Sequence, residues 1–539
     1  MKRLDFYKGV DISSLPEVLA GGMYIRDFDG TYIKPFELLK KYGVNAVRLR
    51  IWHTPSNEPH SGGYCDLEHT IEMAKQVKAH GMRLMLDFHY SDFWADPAKQ
   101  NKPKAWAGLS GAMLEEAVYS YTKTVLEKMR SQGVLPDMVQ IGNEIRSGLL
   151  FPDGELPNYA GMVRLVNAGI RGARAAAGPG ETEVMIHLDQ GGRFFYLKDW
   201  FENAFANGLE DFDLIGLSYY PFWHGTFRDL KNTLERLLQE YHKPLMIVET
   251  AHAWRIGEHG FIDRVQERIA GVPATPEGQY RVLELTEQIM ASLPNGQGLG
   301  IYYWEPLSIP REGHGGWGEN MGLLNQDGQV MEGIRAFLFE RKNADGYPLE
   351  EKIAQTEQNI VGGQEDAAAA SEGGQKGENL LKDAKLEAGL SQWEVNLSDP
   401  AVVAQIYPEF VDPFPAPPSN ALRVESPKNF TFCMSQRVTV PASGIYRLSA
   451  EFKGTDTTGV DVRLFAEGDV RREAAVHPVE HAWVRYEIGD ISCQGGELRW
   501  VSVLRRRLCT AWCGGSAWYG RIEAARLADG WEWISKKSS

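Results

Sequence analysis

The amino-acid sequence predicts an α/β fold, namely a (β/α)8 TIM barrel followed by an all-β, jelly-roll-like sandwich domain. Three observations support this prediction. Strand-like and helix-like segments alternate through residues 1–342, the composition changes at residue 343, and apolar/polar alternation of period two dominates from residue 379. Eight strands alternating with helices over this length are typical of a closed parallel barrel. The predicted barrel strands are Tyr7–Ile12, Ala46–Ile51, Arg83–His89, Met138–Asn143, Glu183–Leu188, Leu214–Tyr219, Leu245–Glu249 and Gly300–Trp304.

Helical patterns separate these strands, and the first long one has recognisable ends. In DLEHTIEMAKQVKAHG, Asp66 is suited to cap the helix N-terminus and Gly81 to follow its C-terminus. A doubly wound open sheet is the alternative fold for such an alternation. No G-x-G-x-x-G motif follows the first strand, so a dinucleotide-binding domain is not indicated.

The region after the predicted barrel has two parts. Residues 343–378 are rich in Gly, Ala, Gln and Glu, which predicts a flexible linker, although part of EEKIAQTEQ has helical character. Residues 379–539 contain alternating segments such as VPASGIYRLSAEFKG and VDVRLFAEG, with turns between them. This pattern predicts an antiparallel sandwich of the size of one domain.

Charge and hydropathy argue against two classes of partner. The chain of 539 residues has a net charge of −15 and no basic tract, so no nucleic-acid partner is expected. No apolar run is long enough for a membrane helix, so no membrane partner is expected either. The start MKRLDFYKGVDISSL has no apolar signal region, so the chain as it stands is expected in the cytoplasm. A monomer is expected. Secretion is the alternative if a leader precedes this start.

Cysteines are few and lie mostly near the C-terminus. Of five, Cys433, Cys493, Cys509 and Cys513 lie in the last quarter of the chain. Cys509 and Cys513 are compatible with a disulfide or a metal pair. Because no second Cys/His pair stands at ligand spacing, thiols or a disulfide are favoured over zinc.

Two apolar, β-branched segments each reach a glutamate as the strand ends. VQIGNEI contains Glu144, and LMIVETAH contains Glu249. A carboxylate at the end of an apolar strand is expected to face a polar cleft, because burying an unpaired charge is costly. Two carboxylates at strand ends of one barrel are what acid/base and nucleophilic cleavage of a glycosidic bond requires. The alternative is that each glutamate merely begins a loop.

Polar or aromatic side chains end every predicted strand from the second onward. Such residues suit a sugar, because aromatic rings stack on pyranose faces and polar groups bind hydroxyls. A metal centre is the rival interpretation, but no H-x-H or H-E-x-x-H motif occurs at these ends, and no metal site is predicted. The predicted substrate-binding residues are Arg48, His89, Asp92, Trp94, Asn143, His187, Asp189, Tyr219, Trp223 and Trp304.

Eight segments of the predicted barrel form a recognisable set, occur in order, and several of them are long. They are GVDISSLPE, GVNAVRLRIW, LDFHYSDFWADPAKQNKPKAW, PDMVQIGNEIRSGLLFPDG, IHLDQGG, FDLIGLSYYPFWHGT, IVETA and GIYYWEP. On these segments, residues 5–340 resemble glycoside hydrolase family 53, the arabinogalactan endo-β-1,4-galactanases.

This resemblance implies a retaining, endo-acting hydrolase of β-1,4-galactosidic bonds in (arabino)galactan or galacto-oligosaccharides. By position, Glu144 would be the general acid/base and Glu249 the nucleophile, while Asn143 would bind the 2-hydroxyl of the cleaved sugar. Three residues, Arg48, His89 and Tyr219, would orient and charge-tune the nucleophile, and Trp304 would floor the subsite. No cofactor is expected.

The sequence departs from the family pattern in places. Bacterial members commonly carry an acidic, Gly-rich calcium loop after strand seven, but HAWRIGEHGFIDRV lacks the Asp-x-Asp pattern, so calcium is not supported there. Ser308 stands where the family often has Trp, which predicts a missing stacking platform. A calcium ion in the sandwich stays open.

The C-terminal region resembles jelly-roll carbohydrate-binding modules more weakly, and the resemblance implies galactan binding. An interaction-only sandwich is the alternative. Rival readings of the barrel are another retaining glycosidase acting on β-1,4-glucan or mannan, and a galactan-binding scaffold with a decayed site. Candidate sugar-facing tryptophans of the module are Trp393, Trp483, Trp500, Trp512 and Trp518.

Overall fold

The computed structural model describes residues 3–56, 63–257, 261–262, 264–308 and 317–368, and beyond these only the backbone of the C-terminal strands. Contacts divide the chain into two units, Met1–Asn359 and Ile360–Ser539. Each unit is described by itself.

The first unit is a closed barrel of eight parallel strands, as the sequence predicts. Numbered in chain order, the strands are β1 Tyr7–Asp11, β2 Ala46–Ile51, β3 Arg83–Phe88, β4 Met138–Ile141, β5 Glu183–Leu188, β6 Leu214–Ser218, β7 Leu245–Thr250 and β8 Gly298–Trp304. Every observed strand begins and ends within two residues of its predicted bounds. The strands are hydrogen-bonded around the barrel in the order β1-β8-β7-β6-β5-β4-β3-β2.

Helices connect these strands. The predicted cap of the helix Leu67–Ala79 is confirmed, because the Asp66 side chain accepts a hydrogen bond from the His69 amide, and Gly81 adopts φ +73° just past the helix. The helices are α1 Leu15–Ala20, α2 Pro35–Lys41, α3 Leu67–Ala79, α4 Gly111–Ser131, α5 Tyr159–Ala176, α6 Phe194–Ala206, α7 Phe227–Tyr241, α8 Arg264–Ala270, α9 Pro276–Ser292, α10 Trp317–Asn320 and α11 Leu349–Ala368. Among the described residues, none of the helices combines the length and apolarity needed to cross a membrane.

The barrel interior contains a lower apolar layer. Side chains of a strand alternate between the interior and the surrounding helices, so every second residue of each strand points inward. Near the N-terminal ends these inward side chains are apolar or aromatic and fully buried, and four of them are methionines, which adapt to irregular gaps. The layer comprises Tyr7, Ala46, Met85, Met138, Met185, Leu214, Met246, Val248, Leu299 and Tyr302.

A β-bulge interrupts β7 immediately before its glutamate. Ile247 pairs with Leu217 of β6, whereas the next paired residues are Glu249 and Ser218, so Val248 is an extra residue. The pairing with β8 skips a residue of β7 in the same stretch. A bulge breaks the two-residue alternation. Val248 therefore lies in the lower layer and Glu249 also faces the interior.

Helix α11 lies in the segment predicted as a flexible linker. Arg228 of α7 binds the Glu357 carboxylate at 2.8 Å and that of Glu350 at 3.0 Å, which ties the first turns of α11 to the barrel. The compact unit accordingly extends to Asn359, beyond the predicted end at residue 342.

The second unit contains two antiparallel sheets, consistent with the predicted all-β character. Packing of one sheet on the other as a sandwich stays a prediction. The side chains of this unit, including the candidate cysteines and tryptophans, lie outside the part of the chain that the structure describes. One sheet has the order Glu394–Leu397, Phe430–Val440, Gly496–Arg506, Val460–Glu467, Arg471–Val476, and the other Val403–Glu409, Ser419–Glu425, Ile522–Arg526, Gly444–Lys453, Val484–Cys493, with Glu532–Trp533 paired to Gly444–Lys453.

Candidate active site

A cavity of about 710 Å³ opens at the C-terminal ends of the barrel strands. This is the end at which barrels of this type carry their chemistry, and the volume lies in the range of ligand pockets. Both predicted catalytic glutamates, Glu144 and Glu249, line it. The other lining residues include Ser14, His89, Phe93, Trp94, Asp96, Asn143, Asp189, Gln190, Tyr220, Trp223, His224, Phe261, Trp304 and Trp317.

Arg48 is the centre of a buried ion network beneath the cavity. Its guanidinium donates to Asp11 at 2.7 Å, to Asp87 at 2.9 Å and to Glu249 at 2.9 Å. It also donates to the Asn143 side-chain oxygen at 2.8 Å. The five donors of a planar guanidinium suit such multiple recognition. Burial opposes ionisation of Asp87, but Arg48 and His89 outweigh it and lower the pKa of Asp87 to about 2.

Glu249 is held by two donors. Arg48 binds Oε1, and the Tyr220 hydroxyl donates to Oε2 at 3.1 Å. Burial raises the pKa of Glu249 to about 7, an effect that Arg48 opposes and that Asp87 reinforces. Its two hydrogen bonds both favour the ionised form, so Glu249 is the stronger acid of the two glutamates.

Glu144 follows β4 in a left-handed backbone conformation, with φ 48° and ψ 52°. Such a conformation is uncommon for a non-glycine residue and is concentrated at functional sites. Burial, and then the negative charges of Glu249 and Asp189, raise the pKa of Glu144 well above its ordinary value. At neutral pH Glu144 is therefore the protonated member of the pair.

The two carboxyl groups are close together. Carboxylate oxygens of Glu144 and Glu249 and a ring nitrogen of His187 all lie within 4.8 Å of one another. This geometry superficially suits a metal ion, but the donors do not. The His187 Nδ1 accepts the Glu144 amide at 3.4 Å and its Nε2 contacts Ser218 Oγ at 2.9 Å, so both nitrogens are engaged. Arg48 already supplies the positive charge at Glu249. The cluster therefore fits an acid/base pair rather than a metal site.

Aromatic side chains form the cavity walls. The Trp304 ring contacts Trp94 at 5.7 Å and Trp317 at 4.4 Å between centroids, both edge-to-face. Trp94 is itself held by the Arg50 guanidinium, 4.1 Å from its ring centroid. Trp223, which is 39% exposed, also lines the cavity and joins this series of rings through Phe261, at 5.4 Å between centroids. These rings provide flat apolar faces of the kind that stack on sugars.

The structure brings most predicted substrate-binding residues together. His89, Trp94, Asn143, Asp189, Trp223 and Trp304 line the cavity, while Arg48 and His187 lie just behind it. Asn143 is oriented from both ends, because its amide nitrogen donates to the Ala95 carbonyl at 2.9 Å while its oxygen accepts from Arg48.

Two predicted residues do not reach the cavity. The Asp92 carboxylate accepts hydrogen bonds from the Thr54 and Lys104 amides, at 2.9 Å and 2.8 Å, and so stabilises a loop. Tyr219 packs on Phe227 of α7 and donates to the Gly225 carbonyl at 3.0 Å. The neighbouring Tyr220 occupies the position predicted for Tyr219. The reason is strand alternation: Ser218 points into the barrel, so Tyr220 does too.

Sequence reasoning missed several residues of this site. The carboxylates of Asp11 and Asp87 share Arg48, and Glu305 pairs with Arg50 at 2.6 Å. The sequence did contain a signal for Asp87. This residue stands two positions before His89, so the two side chains share one face of the strand. No local pattern in the sequence pointed to Trp317 as a lining residue of the cavity.

A parallel barrel with two adjacent carboxylates and aromatic walls at its C-terminal end defines a glycosidase. Comparison with known proteins identifies the family: the model of glycosyl hydrolase family 53 matches residues 7–337, and the chain belongs to this family.

Individual relatives agree over the same region. An uncharacterized protein of Niallia circulans is 40% identical, over 62% of this chain and 94% of that protein. The endo-β-1,4-galactanase of Bacillus subtilis is 36% identical, over 57% of this chain and 71% of that enzyme. The solved catalytic domain of the family 53 enzyme from Ignisphaera aggregans has a TM-score of 0.59 and 36% identity, covering 62% of this chain and 97% of that domain.

Proposed function

We propose that this protein is an endo-acting, retaining β-1,4-galactanase that uses a double displacement. The observation that carries the proposal is the proximity of the two carboxylates, whose oxygens lie within 4.8 Å. Retaining enzymes place their carboxyl groups about 5–5.5 Å apart, whereas inverting enzymes separate them by about 6.5–9.5 Å to admit a water.

In the first step, the ionised Glu249 attacks the anomeric carbon while Glu144 protonates the departing glycosidic oxygen. Arg48 and Tyr220 orient the Glu249 carboxylate and favour its ionised form. The raised pKa of Glu144 keeps its proton available near neutral pH.

In the second step, Glu144 accepts a proton from a water molecule, whose oxygen attacks the anomeric carbon and releases Glu249. Esterification of Glu249 removes the negative charge beside Glu144. The pKa of Glu144 then falls, which favours its new role as base. Asn143, fixed by Arg48 and Ala95, retains one amide hydrogen for the 2-hydroxyl of the bound sugar.

The proposed substrate is linear β-1,4-galactan or its oligosaccharides. Relatives at 34–36% identity carry the names endo-β-1,4-galactanase and arabinogalactan endo-β-1,4-galactanase. The aromatic rings that line the cavity beside the two glutamates suit the stacking of several sugar units of a chain.

The test is digestion of linear β-1,4-galactan, with β-1,4-glucan and β-1,4-mannan in parallel. Wild type and the control Glu235→Ala, which changes an exposed glutamate of α7, should release a range of oligosaccharides early in the reaction. Glu249→Ala should release none. Proton NMR of the first products should detect the β-anomer, as retention requires. An initial α-anomer, or turnover by Glu249→Ala, would rule out this mechanism, and cleavage of glucan or mannan alone would rule out the substrate.

We further propose that the C-terminal unit folds as a sandwich and binds galactan. Its two antiparallel sheets support this assignment. Full-length Glu249→Ala should be retarded in a native gel containing galactan, and the same variant ending at Ala368 should be retarded less. Equal retardation of both forms would assign all binding to the barrel.

A further inference from the structure

A second buried arginine of β2 contacts the aromatic wall of the cavity, and the double displacement gives it no role. The Arg50 side chain is 1% exposed. Its guanidinium carbon lies 4.1 Å from the centroid of the Trp94 ring and 5.4 Å from that of Trp52. Trp94 lines the cavity, whereas Arg50 does not. Arg50 can therefore affect a bound sugar by way of this ring, without touching the sugar itself.

Hydrogen bonds fix the plane of the Arg50 guanidinium. Its Nη1 donates to Glu305 Oε1 at 2.6 Å, and its Nη2 donates to Ser14 Oγ at 2.8 Å. Ser14 is itself fixed, because its hydroxyl and its amide both donate to Glu305 Oε1, at 2.8 Å and 3.0 Å. A planar guanidinium held at two of its nitrogens cannot rotate freely, so it presents one face to the indole in a constant orientation.

The same ion pair is linked to a second cavity tryptophan, Trp304. Glu305 follows Trp304 directly and adopts a left-handed backbone conformation with φ 51°. Its amide donates to the Asp11 carbonyl at 2.9 Å, while its side chain accepts from Arg50. A conformation that is costly for a non-glycine residue persists where the surrounding contacts hold it. The rings of Trp94 and Trp304, whose centroids are 5.7 Å apart, are thus both attached to this pair.

Two neighbouring rings hold Trp94 less firmly than Arg50 does. Trp52 meets it at an interplanar angle of 80° and Phe93 at 75°, with centroids 5.2 Å and 6.3 Å away. Edge-to-face ring pairs are weaker than a cation–π contact from which water is excluded. Arg50 therefore contributes the strongest of these contacts to the orientation of the Trp94 ring.

We infer that Arg50 is a positioning residue, which holds Trp94 in place as a stacking platform and thereby sets the affinity for the sugar chain. The inference rests on the proposed function for the role of the cavity as the sugar site. The Arg50 donors bind Ser14 and Glu305, whereas Arg48 serves the nucleophile. Loss of the Arg50 guanidinium should therefore weaken binding of the chain and leave the rate of bond cleavage nearly unchanged.

The test is a double-mutant cycle of Arg50→Lys and Trp94→Ala, with kcat and KM measured on soluble galactan. Lysine keeps the charge beside Glu305 but lacks the planar face that stacks on the ring. In Arg50→Lys, KM should rise about five- to tenfold, because part of a desolvated cation–π contact is lost, and kcat should stay within about twofold. Trp94→Ala should raise KM at least as much. In the Trp94→Ala background, Arg50→Lys should leave KM unchanged, because the ring that it positions is gone.

Arg236→Lys is the matched control. Arg236 of α7 lies over the Phe194 ring, 3.6 Å from its centroid, and neither residue lines the cavity. This variant should keep the wild-type KM. If Arg50→Lys does not fold, Glu305→Gln replaces it in the cycle. A neutral acceptor holds the guanidinium less firmly, so a smaller rise in KM is expected, again only while Trp94 is present.

Three results would overturn the inference: an unchanged KM in the folded variant, an equal rise in KM in the Trp94→Ala background, or a fall in kcat at constant KM. Failure of wild type on galactan would overturn the proposed substrate instead, because the cycle is read on whichever β-linked glycan wild type cleaves.

Discussion

The barrel interior has two layers of side chains, both contributed by the barrel strands, and the two layers differ in polarity. The lower layer is apolar, with Met85, Met138, Met185 and Met246 among its members. Two residues further along β3 and β5, the inward positions hold Asp87 and His187 instead. Along these two strands, one inward side chain therefore contributes to packing and the next inward side chain belongs to the candidate site.

This difference separates stability from activity along each strand. The lower layer is stabilised by burial and close packing, which any apolar residue of suitable volume can supply. The upper layer holds buried charges that cost desolvation energy and are tolerated only because Arg48 satisfies three carboxylates at once. Substitutions in the two layers should accordingly separate the two properties.

Arg48→Met should have the largest effect. It leaves Asp11, Asp87 and Glu249 without their counter-ion, and breaking a buried pair costs about 3–5 kcal/mol in the free energy of unfolding. We also expect kcat to fall by at least about a hundredfold, because a preorganised donor to the nucleophile is lost. Chemical denaturation and kinetics check both effects, with the exposed Arg164→Met as control.

The loss of unfolding free energy caused by Arg48→Met should depend on pH. In wild type the pKa of Asp87 is lowered to about 2, so its stabilising contribution is present above its unfolded pKa near 3.9 and lost as pH falls toward 2. The variant lacks this contribution, and its carboxylates become easier to bury once protonated. Its unfolding free energy should therefore approach that of wild type as pH falls from about 4 toward 2, where wild type loses this contribution. A gap that stays constant would contradict the assigned ion network.

Glu144→Gln should reduce kcat by about 10²–10⁴-fold on galactan, and far less on an activated aryl glycoside. Its stability should change in the opposite direction. The pKa of Glu144 is raised in the folded protein, so ionisation destabilises the fold as pH rises above the unfolded pKa. Glutamine cannot ionise, and the variant should exceed wild type in melting temperature at pH 8 while matching it at pH 4. A lower melting temperature at pH 8 would contradict the direction of this pKa shift.

Tyr220→Phe and Tyr219→Phe form a matched pair on adjacent residues. Tyr220→Phe removes a hydrogen bond to the charged Glu249 and should lower kcat about tenfold. Tyr219→Phe should leave kcat unchanged and lower the unfolding free energy by about 1 kcal/mol, through loss of the bond to Gly225. Equal kinetic effects of the two variants would contradict the assigned orientations.

Met185→Ala should have the smallest effect on catalysis. It opens a cavity in the lower layer and should cost about 2–5 kcal/mol of unfolding free energy. The kcat/KM of the folded protein should stay close to the wild-type value, because the upper layer keeps its hydrogen bonds. Rates measured well below the melting temperature check this. A large loss of kcat/KM would indicate that the two layers are coupled.

Much of the barrel could be predicted because its strands are short apolar runs with polar ends, a local signal. Both glutamates were identified for the same reason, since each stands where such a run stops. The choice between Tyr219 and Tyr220 required knowing which alternate residues of β6 point into the barrel. Ser218 and its partners on neighbouring strands determine this. Asp11 was missed because its place in the site depends on a buried ion pair with Arg48, which is distant in the sequence.

Helix α11 and Trp317 are two further features that the local sequence did not predict. The composition of residues 349–368 is typical of a linker, but ion pairs from Arg228 fix its beginning on α7. Trp317 supplies a ring against Trp304 after the sequence predicted a missing platform at Ser308. Both outcomes depend on long-range contacts that no window of sequence contains.

The extra residue in β7 makes the orientation of Glu249 depend on strand pairing as well as on residue type. If Val248 were paired regularly with Ser218 of β6, Glu249 would occupy the next position and point outward among the helices. A shift of this pairing by one residue would keep every amino acid of the strand and still remove the carboxylate from the cavity. A comparison that scores only residue identity does not record this requirement.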